Sequence, residues 1–239
     1  MLKVKRYVSD QWSNLQGTKL GQQFPMFGLS YAGKTTLLYH LVYSEFIETI
    51  GDHSARVETF TVPNLFRQYD SGKGRGAQQK ELKFSLWDVA GQTGLIPLWH
   101  SYVDGTNSKG VIFVVDSTCR EDMPYAKHAL WRLFGALAAK DEEEGRDTEK
   151  EDMVLLVFAN KQDRFDAMTV AEVMEGLDLE GLGNGDPQEA GGRPRRKRRW
   201  HIRGTDATKG KGLVEGLLWL DWQVNGPPRS REETALERV

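Results

Sequence analysis

The sequence predicts an α/β protein with a doubly wound, mostly parallel six-stranded sheet and one antiparallel edge strand. Apolar strand-like runs alternate with helical repeats, and polar clusters follow several of the runs. In such folds ligands bind at the carboxyl ends of the strands, where these clusters converge. Strands are predicted near Met26 and at 57–61, 82–88, 111–116, 154–159 and 200–204, and helices from Lys34 and at 125–139, 170–177 and 213–224.

The first predicted strand carries a proline in a central position. Pro25 lies within Gln22 to Phe27 and cannot donate a hydrogen bond to a sheet ladder. Two outcomes stay open from the sequence: a strand shortened to Met26, Phe27 and Gly28, or irregular pairing on one side at Pro25.

A glycine-rich turn follows this strand with the spacing G-x-x-x-x-G-K-T. Glycines let backbone N–H groups approach a triphosphate, and a lysine ammonium and the following helix N-terminus add positive charge. An apolar helical repeat comes next, as this type of loop requires. The sequence therefore predicts a nucleotide site, with Thr35 also offering a hydroxyl to magnesium. Its phosphate-binding residues are Gly28, Ser30, Tyr31, Ala32, Gly33, Lys34, Thr35 and Thr36.

A second cluster, D-x-x-G-Q, ends the predicted strand at 82–88. Asp88 can hold the magnesium shell, the Gly91 N–H can turn toward a γ-phosphate, and Gln92 can orient an attacking water. Taken alone, Asp88 also fits a helix cap or turn, and Gln92 a solvated loop. We expect Gln92 and Lys34 to be the catalytic residues.

A third cluster identifies the base. Asn160, Lys161 and Asp163 follow a continuous apolar run that is typical of a buried parallel strand. A carboxylate at Asp163 only accepts hydrogen bonds, so it pairs with the N1–H and N2 amino donors of guanine, which adenine lacks. Asp206 and Ala207 form a weaker fourth element, in which the Ala207 N–H can bond guanine O6. Guanine nucleotide is therefore the predicted ligand.

Composition excludes several classes of protein. The 32 basic and 34 acidic residues nearly balance, so no nucleic-acid partner is expected. One cysteine, Cys119, suits a reducing compartment, and no run of 18 apolar residues or signal-peptide core is present. Leu2 and the Cys-free C-terminus lack the common lipid-anchor signals. A cytoplasmic location is expected.

In this order, the motifs resemble those of Ras-type small GTPases, which are P-loop NTPases. The residues within the motifs are similar to those of the Arf and Arf-like branch. The similarity spans roughly 24–224. It is carried by Gly28-Leu-x-x-Ala32-Gly33-Lys34-Thr35-Thr36, Thr49-Ile50-Gly51, Val57-Glu58-Thr59, Trp87-Asp88-Val89, Pro97-Leu98-Trp99 and the runs at 111–117 and 155–163.

This resemblance implies a GTP/GDP switch with Mg²⁺, used in membrane traffic or signalling. Thr49 would be the switch I threonine that binds both the metal and the γ-phosphate, so that Thr35, Thr49 and Asp88 form the metal set. Exchange factors, activating proteins and effectors would bind the switch regions. No arginine lies between Tyr43 and Thr49, so hydrolysis is expected to be slow without an activating protein.

The chain departs from the family pattern in its switch and phosphate-loop segments. Ser30 and Tyr31 stand where the family has Asp and a small residue, and Ala90 replaces a glycine. Three residues are added after Gly51, and Asp52 replaces a Phe that in Arf proteins forms an apolar effector patch with residues matching Trp87 and Tyr102. The resemblance therefore does not determine which effector this chain binds.

We expect one GTPase domain at 21–224, preceded by an amphipathic extension at 1–20 and followed by a disordered tail at 225–239. Insertions are predicted near 68–79, 141–152 and 181–199, the last opening as a Gly-rich loop at 181–192. The N-terminal segment has an apolar face flanked by basic residues, which fits peripheral contact with the Golgi or another endomembrane, a helix docked on the domain, or a frayed end. The basic run 193–199 fits a solvated loop, or a contact with anionic lipid, an acidic partner or an import receptor.

Two other functions remain open at this stage. One is a structural or adaptor subunit that holds GTP or GDP with vestigial hydrolysis, which the altered switch I and Tyr31 favour. The other is an ATP-using kinase or ATPase, which would leave Asp163 without a purpose.

Overall fold

The computed structural model describes residues 22–47, 56–62, 82–106, 108–143, 153–184 and 198–226. The expected N-terminal extension, Thr49, Asp52 and the insertion at 68–79 lie outside these residues, as do most of the other two insertions and the tail.

The described strands form one six-stranded sheet in the order β2-β3-β1-β4-β5-β6. Strand β2 is antiparallel to β3, and every other neighbouring pair is parallel. The predicted fold class, including the antiparallel edge strand, is confirmed. The strands are β1 (Gln22–Phe27), β2 (Arg56–Val62), β3 (Leu82–Asp88), β4 (Gly110–Asp116), β5 (Val154–Asn160) and β6 (Trp200–Gly204).

Strand β1 spans Gln22–Phe27 and is not shortened, but Pro25 limits its pairing on one side. Pairing with β3 runs from Gln22 to Met26, whereas pairing with β4 is limited to Met26 and Phe27. Met26 accepts from Val89 N at 3.1 Å on the β3 side. Because backbone groups alternate sides in a parallel strand, the missing N–H of Pro25 faces β4. Irregular pairing, the second of the two expected outcomes, is what the structure shows.

Helices cover both faces of the sheet. They are α1 (Lys34–Tyr43), α2 (Trp99–Thr106), α3 (Met123–Glu143), α4 (Val170–Leu177), α5 (Leu179–Asn184) and α6 (Leu213–Asn225). Helices α1 and α6 pack on a core that includes Ile112 and Val114, and α2 to α5 pack on one that includes Phe113 and Val115. Alternate residues of β4 thus enter opposite cores, as expected for a strand buried on both faces.

Two helices differ from the sequence prediction. Helix α2 was not predicted, and α5 occupies the start of the segment predicted as a Gly-rich loop, so that prediction is wrong for 181–184. Asp178 ends α4 with a left-handed φ of 54°, and its Oδ1 accepts from Gly181 N at 3.2 Å. Leu179 and Leu182 are buried on the same core. Helix α5 therefore depends on a cap and on tertiary burial. Within the described segments, no helix combines the length and apolarity needed to cross a bilayer.

Candidate nucleotide site

The phosphate loop between β1 and α1 adopts a conformation that its glycines permit. Gly28 has a φ of 145°, and a Cβ there would lie 2.2 Å from the Val114 carbonyl oxygen. Gly33 has a φ of 92° and caps α1. Tyr31 is also left-handed, with a φ of 65°, although it carries a side chain that is 85% exposed. The backbone is thus wrapped at the N-terminus of a helix, where an anion is stabilised.

Lys34 lies beneath this loop. Its ammonium donates to the carbonyl oxygens of Gly28 at 3.0 Å and Leu29 at 2.9 Å, and the residue is 7% exposed. Burial lowers the pKa of Lys34, and the nearby Asp88 carboxylate opposes that shift. An anionic phosphate on the loop would favour the charged form in the same way.

Thr35 and Asp88 bring two oxygen donors together. The Thr35 hydroxyl donates to Asp88 Oδ2 at 2.6 Å, across 53 residues of sequence. Hydroxyl and carboxylate oxygens are ligands that Mg²⁺ prefers alongside nucleotide phosphates and water. The pair fits a magnesium site, whose third predicted ligand, Thr49, lies outside the described residues. In the segments described, no group of three or more His, Cys, Asp or Glu side chains forms a metal cluster.

The D-x-x-G turn packs directly on the phosphate loop. A Cβ on Gly91 would lie 2.2 Å from Gly28 O and 2.6 Å from Ser30 N, so this close approach requires a glycine. Trp99 also contacts this turn, and its buried indole donates to Ala90 O at 3.2 Å. Gln92 is half-buried, and its carbonyl accepts from Leu95 N at 2.9 Å.

Asn160 joins the base side of the site to the phosphate loop. Its Nδ2 donates to Ala32 O at 2.9 Å, while its Oδ1 accepts from Thr205 Oγ1 at 3.3 Å and Ala207 N at 3.1 Å. The side chain is 1% exposed. One buried amide therefore connects loops that follow β1, β5 and β6.

The loop after β6 is ordered by Asp206. Its Oδ1 accepts from Thr208 N at 3.0 Å and Oγ1 at 2.6 Å, and also from Lys209 N. Burial would raise the pKa of Asp206, but the Thr208 and Lys209 bonds and the Lys209 charge outweigh it and the pKa is lowered. Asp206 thus fixes the turn, and Ala207, beside it, gives its N–H to Asn160. The predicted bond from Ala207 to guanine O6 stays a prediction.

Lys161 and Asp163 begin the loop after β5. Lys161 has a left-handed φ of 66°, and its ammonium lies 2.5 Å from Asp116 Oδ2. Asp163 is exposed, and the residues on either side are held by bonds from Gln162 N to Thr205 O and from Arg164 N to Lys161 O. Asp116 was not among the predicted site residues. Its position at the carboxyl end of a buried strand was the available signal.

Trp87 and Tyr102, which match effector-patch residues of Arf proteins, differ in their exposure to solvent. Trp87 is 1% exposed, and its indole donates to Gln23 Oε1 at 3.3 Å, so it presents no surface in this structure. Tyr102 is half-buried against the same core. Trp87 therefore contributes no exposed surface to an apolar patch of the kind that Arf proteins use.

A doubly wound sheet with a phosphate loop, a D-x-x-G turn and an N-K-x-D loop at one edge defines the class of P-loop guanine-nucleotide-binding proteins. The family model described as the ADP-ribosylation factor family matches residues 8–224. The chain is also similar to the solved Arl6 (BBS3) small GTPase of Trypanosoma brucei, determined with a bound nucleotide analogue, GppNp. Identity is 28%, with 85% of this chain and 97% of that chain covered and a TM-score of 0.61.

The chain belongs to the ADP-ribosylation factor, or Arf, family. It is a small GTPase that binds guanine nucleotide and has the fold of a GTP/GDP switch.

Proposed function

We propose that this GTPase hydrolyses GTP slowly with Mg²⁺ and acts in membrane traffic or signalling. The observation that carries the proposal is the three-way contact of Asn160. It connects the phosphate loop with the loops that follow β5 and β6, where the base is expected to bind. A nucleotide that contacts both would place its triphosphate on the phosphate loop and its purine beside the loops that follow β5 and β6.

Phosphate recognition rests on Lys34 and the backbone of the loop. The Lys34 ammonium donates to Gly28 O and Leu29 O, so it is already held against the phosphate loop. The N-terminus of α1 adds the partial positive charge of its free N–H groups. Thr35 and Asp88 would hold the magnesium ion. When bound, that ion neutralises charge on the β- and γ-phosphates.

Hydrolysis would proceed by in-line attack of water on the γ-phosphorus, with GDP leaving through its β-phosphate oxygen and inorganic phosphate as the second product. Gln92 follows Gly91, which packs on the phosphate loop, so its side-chain amide is suited to orient the water. The Gly91 N–H would bond the γ-phosphate in the GTP form alone, which couples the turn to the nucleotide state.

Intrinsic turnover would be slow because the segment leading into switch I, from Tyr43 to Thr49, contains no arginine that could supply charge in cis. Arg56, at the start of β2, donates to the Tyr39 hydroxyl and lies over that ring at 5.9 Å. It is thereby engaged with α1. An arginine finger adds about 10³ to 10⁵ in rate in related enzymes, so an activating protein would provide it, and an exchange factor and effectors would use the switch regions.

We place this function in the cytoplasm, with peripheral contact at the Golgi or another endomembrane. The basic amphipathic pattern of residues 1–20 supports that location. Vesicle flotation of the GTP-loaded chain, with and without those residues, tests it, and loss of binding on their removal is the expected result.

The hydrolytic role is tested by following GTP decay in the wild type, Gln92→Leu and the neighbouring exposed-residue control Thr93→Ala. We expect slow, Mg²⁺-dependent decay in the wild type and Thr93→Ala, and a drop of about 10²-fold or more in Gln92→Leu, the range seen when a positioned catalytic group is removed. Equal decay in all three would remove Gln92 from the mechanism.

A second candidate is a subunit that holds GTP or GDP with vestigial hydrolysis. It is favoured by Tyr31, a large exposed side chain in a left-handed position of the phosphate loop. The same assay separates the two: bound GTP that persists over hours in the wild type, with or without an activating extract, would favour the second candidate.

A further inference from the structure

Asp116 and Lys161 meet where two neighbouring strands end. Asp116 is the last residue of β4, and its register partner on β5 is Asn160. Lys161 comes directly after, so the two side chains start from adjacent strand ends. The Asp116 Oδ2 to Lys161 Nζ distance is 2.5 Å, and the side chains are 16% and 34% exposed. The pair is therefore partly shielded from solvent, where charge-assisted bonds are strong.

The Asp116 carboxylate is fixed independently of Lys161. Its Oδ1 accepts from Thr118 N at 2.9 Å and Thr118 Oγ1 at 2.6 Å. Burial would raise the pKa of Asp116, but the Lys161 and Thr118 bonds outweigh it and the pKa is lowered. The carboxylate is thus ionised at neutral pH and already oriented toward the lysine.

Further hydrogen bonds, two between backbone groups and one from a side chain, connect the loops that follow β4 and β5. Ser117 N donates to Asn160 O at 3.1 Å, and Met168 N donates to Ser117 O at 2.7 Å. Gln162 Nε2 donates to Met168 O at 2.9 Å. These hydrogen bonds therefore hold the backbone of Asn160 and also set the geometry of the neighbouring ion pair.

We propose that Asp116 is a positioning residue for the guanine base: it holds the Lys161 ammonium so that the apolar lysine stem forms one wall of the base site and slows nucleotide release. A free lysine side chain would have to be ordered by the incoming nucleotide, at an entropic cost. Asp116 removes that cost in advance. This inference rests on the proposed function, in which a guanine nucleotide binds beside the loop that Lys161 begins.

The test is a double-mutant cycle on the rate of GDP dissociation, using fluorescently labelled GDP and the full chain. Asp116→Asn is the informative change because its amide oxygen can still accept from Thr118, whereas its NH₂ group cannot accept from Lys161. We expect Asp116→Asn and Lys161→Ala each to speed release by about 5- to 30-fold. The double variant should release GDP no faster than Lys161→Ala alone, because Asp116 acts through the lysine.

A matched control removes an ion pair away from the site. Asp178 pairs with Lys127 at 3.0 Å on the far helices, and Asp178→Asn keeps an oxygen for Gly181 N. GDP release from this variant should match the wild type. Circular dichroism and thermal unfolding of each variant establish that it is folded.

Three results would overturn the inference. Wild-type release from folded Asp116→Asn would show that the pair does not position Lys161. Acceleration by Asp116→Asn in the Lys161→Ala background, as large as in the wild type, would show that Asp116 acts by another route. A wild-type chain that binds no labelled GDP would refute the proposed function itself, and the inference with it, and is recognised before any variant is compared.

Discussion

Gly91 shows how one missing side chain can support a switch. The turn after β3 approaches the phosphate loop so closely that a Cβ on Gly91 would overlap the backbone of Gly28, Leu29 and Ser30 at 2.2 to 2.6 Å. Backbone atoms cannot yield as the end of a flexible side chain can. Any larger residue must therefore displace the turn that carries Gln92 and the proposed contact to the γ-phosphate.

Gly91→Ala is accordingly expected to reduce GTP hydrolysis by about ten- to a hundredfold, since a displacement near 1 Å in a catalytic group has that effect. GDP affinity should fall less than hydrolysis does, because the loop that holds Asp163 is untouched even though the new Cβ meets the phosphate loop. Gly94→Ala is the control, since a Cβ there meets nothing within 4 Å. Single-turnover hydrolysis and GDP affinity of both variants check this, and normal hydrolysis by Gly91→Ala would contradict it.

At the scale of elements, helix α6 packs on β5 through a glycine. A Cβ on Gly216 would lie 2.4 Å from Phe158 Cε1 and 2.9 Å from its Cζ, both inside the core. Gly135, by contrast, is an exposed position of α3 where a Cβ meets nothing within 4 Å. The two glycines have the same intrinsic helix propensity and opposite surroundings.

We therefore expect Gly216→Ala to destabilise the fold by about 1–3 kcal/mol through overpacking. Gly135→Ala should leave stability unchanged or raise it by up to about 1 kcal/mol through helix propensity. Urea unfolding of the GDP-bound chain measures both. Equal free energies of unfolding in the two variants would show that the α6–β5 contact yields without cost.

Helix α4 begins with a capping box that responds to acid. Thr169 N donates to Glu172 Oε2 at 2.8 Å, and Arg120 lies 2.9 Å from Glu172 Oε1. The Thr169 backbone bond, then Arg120 and then the Thr169 hydroxyl lower the pKa of Glu172 from 4.5 to about 2. Because the folded pKa is depressed, the stabilisation is present above pH 4.5 and is lost as the pH falls toward 2.

Glu172→Gln is expected to be less stable than the wild type at neutral pH and to lose less stability between pH 4.5 and 2. Glu175→Gln changes an exposed carboxylate on the same helix outside the box and should follow the wild-type profile. Thermal unfolding across that pH range is the measurement. A Glu172→Gln curve parallel to the wild type down to pH 2 would contradict the assignment.

Across the whole molecule, the sequence was sufficient to predict those strands, helices and loops that are determined by neighbouring residues in the chain. The buried run before Asn160 and the glycine spacing around Lys34 each predict an element and a loop, and the structure places both as expected. The one-sided pairing at Pro25 could be stated in advance only as one of two outcomes, because the direction of its missing N–H depends on the register with β4.

What could not be predicted depends on contacts between distant segments. Helix α5 contains two glycines in six residues, and it forms because Asp178 caps it and leucines bury their side chains. Asp116 looks like an ordinary strand end until β5 places Lys161 beside it. The burial of Trp87 likewise follows from β1 and the core rather than from its own neighbours in sequence.

In the proposed function, one guanine nucleotide spans the phosphate loop at Lys34 and the loop at Asp163 that contacts the base. The most direct measurement is to denature the purified full chain, identify the released nucleotide by chromatography, and repeat this after loading with equal GTP and ATP. We expect about one GDP or GTP per chain, with ATP and ADP excluded by the base contacts. Release of adenine nucleotide, or of none after loading, would contradict it.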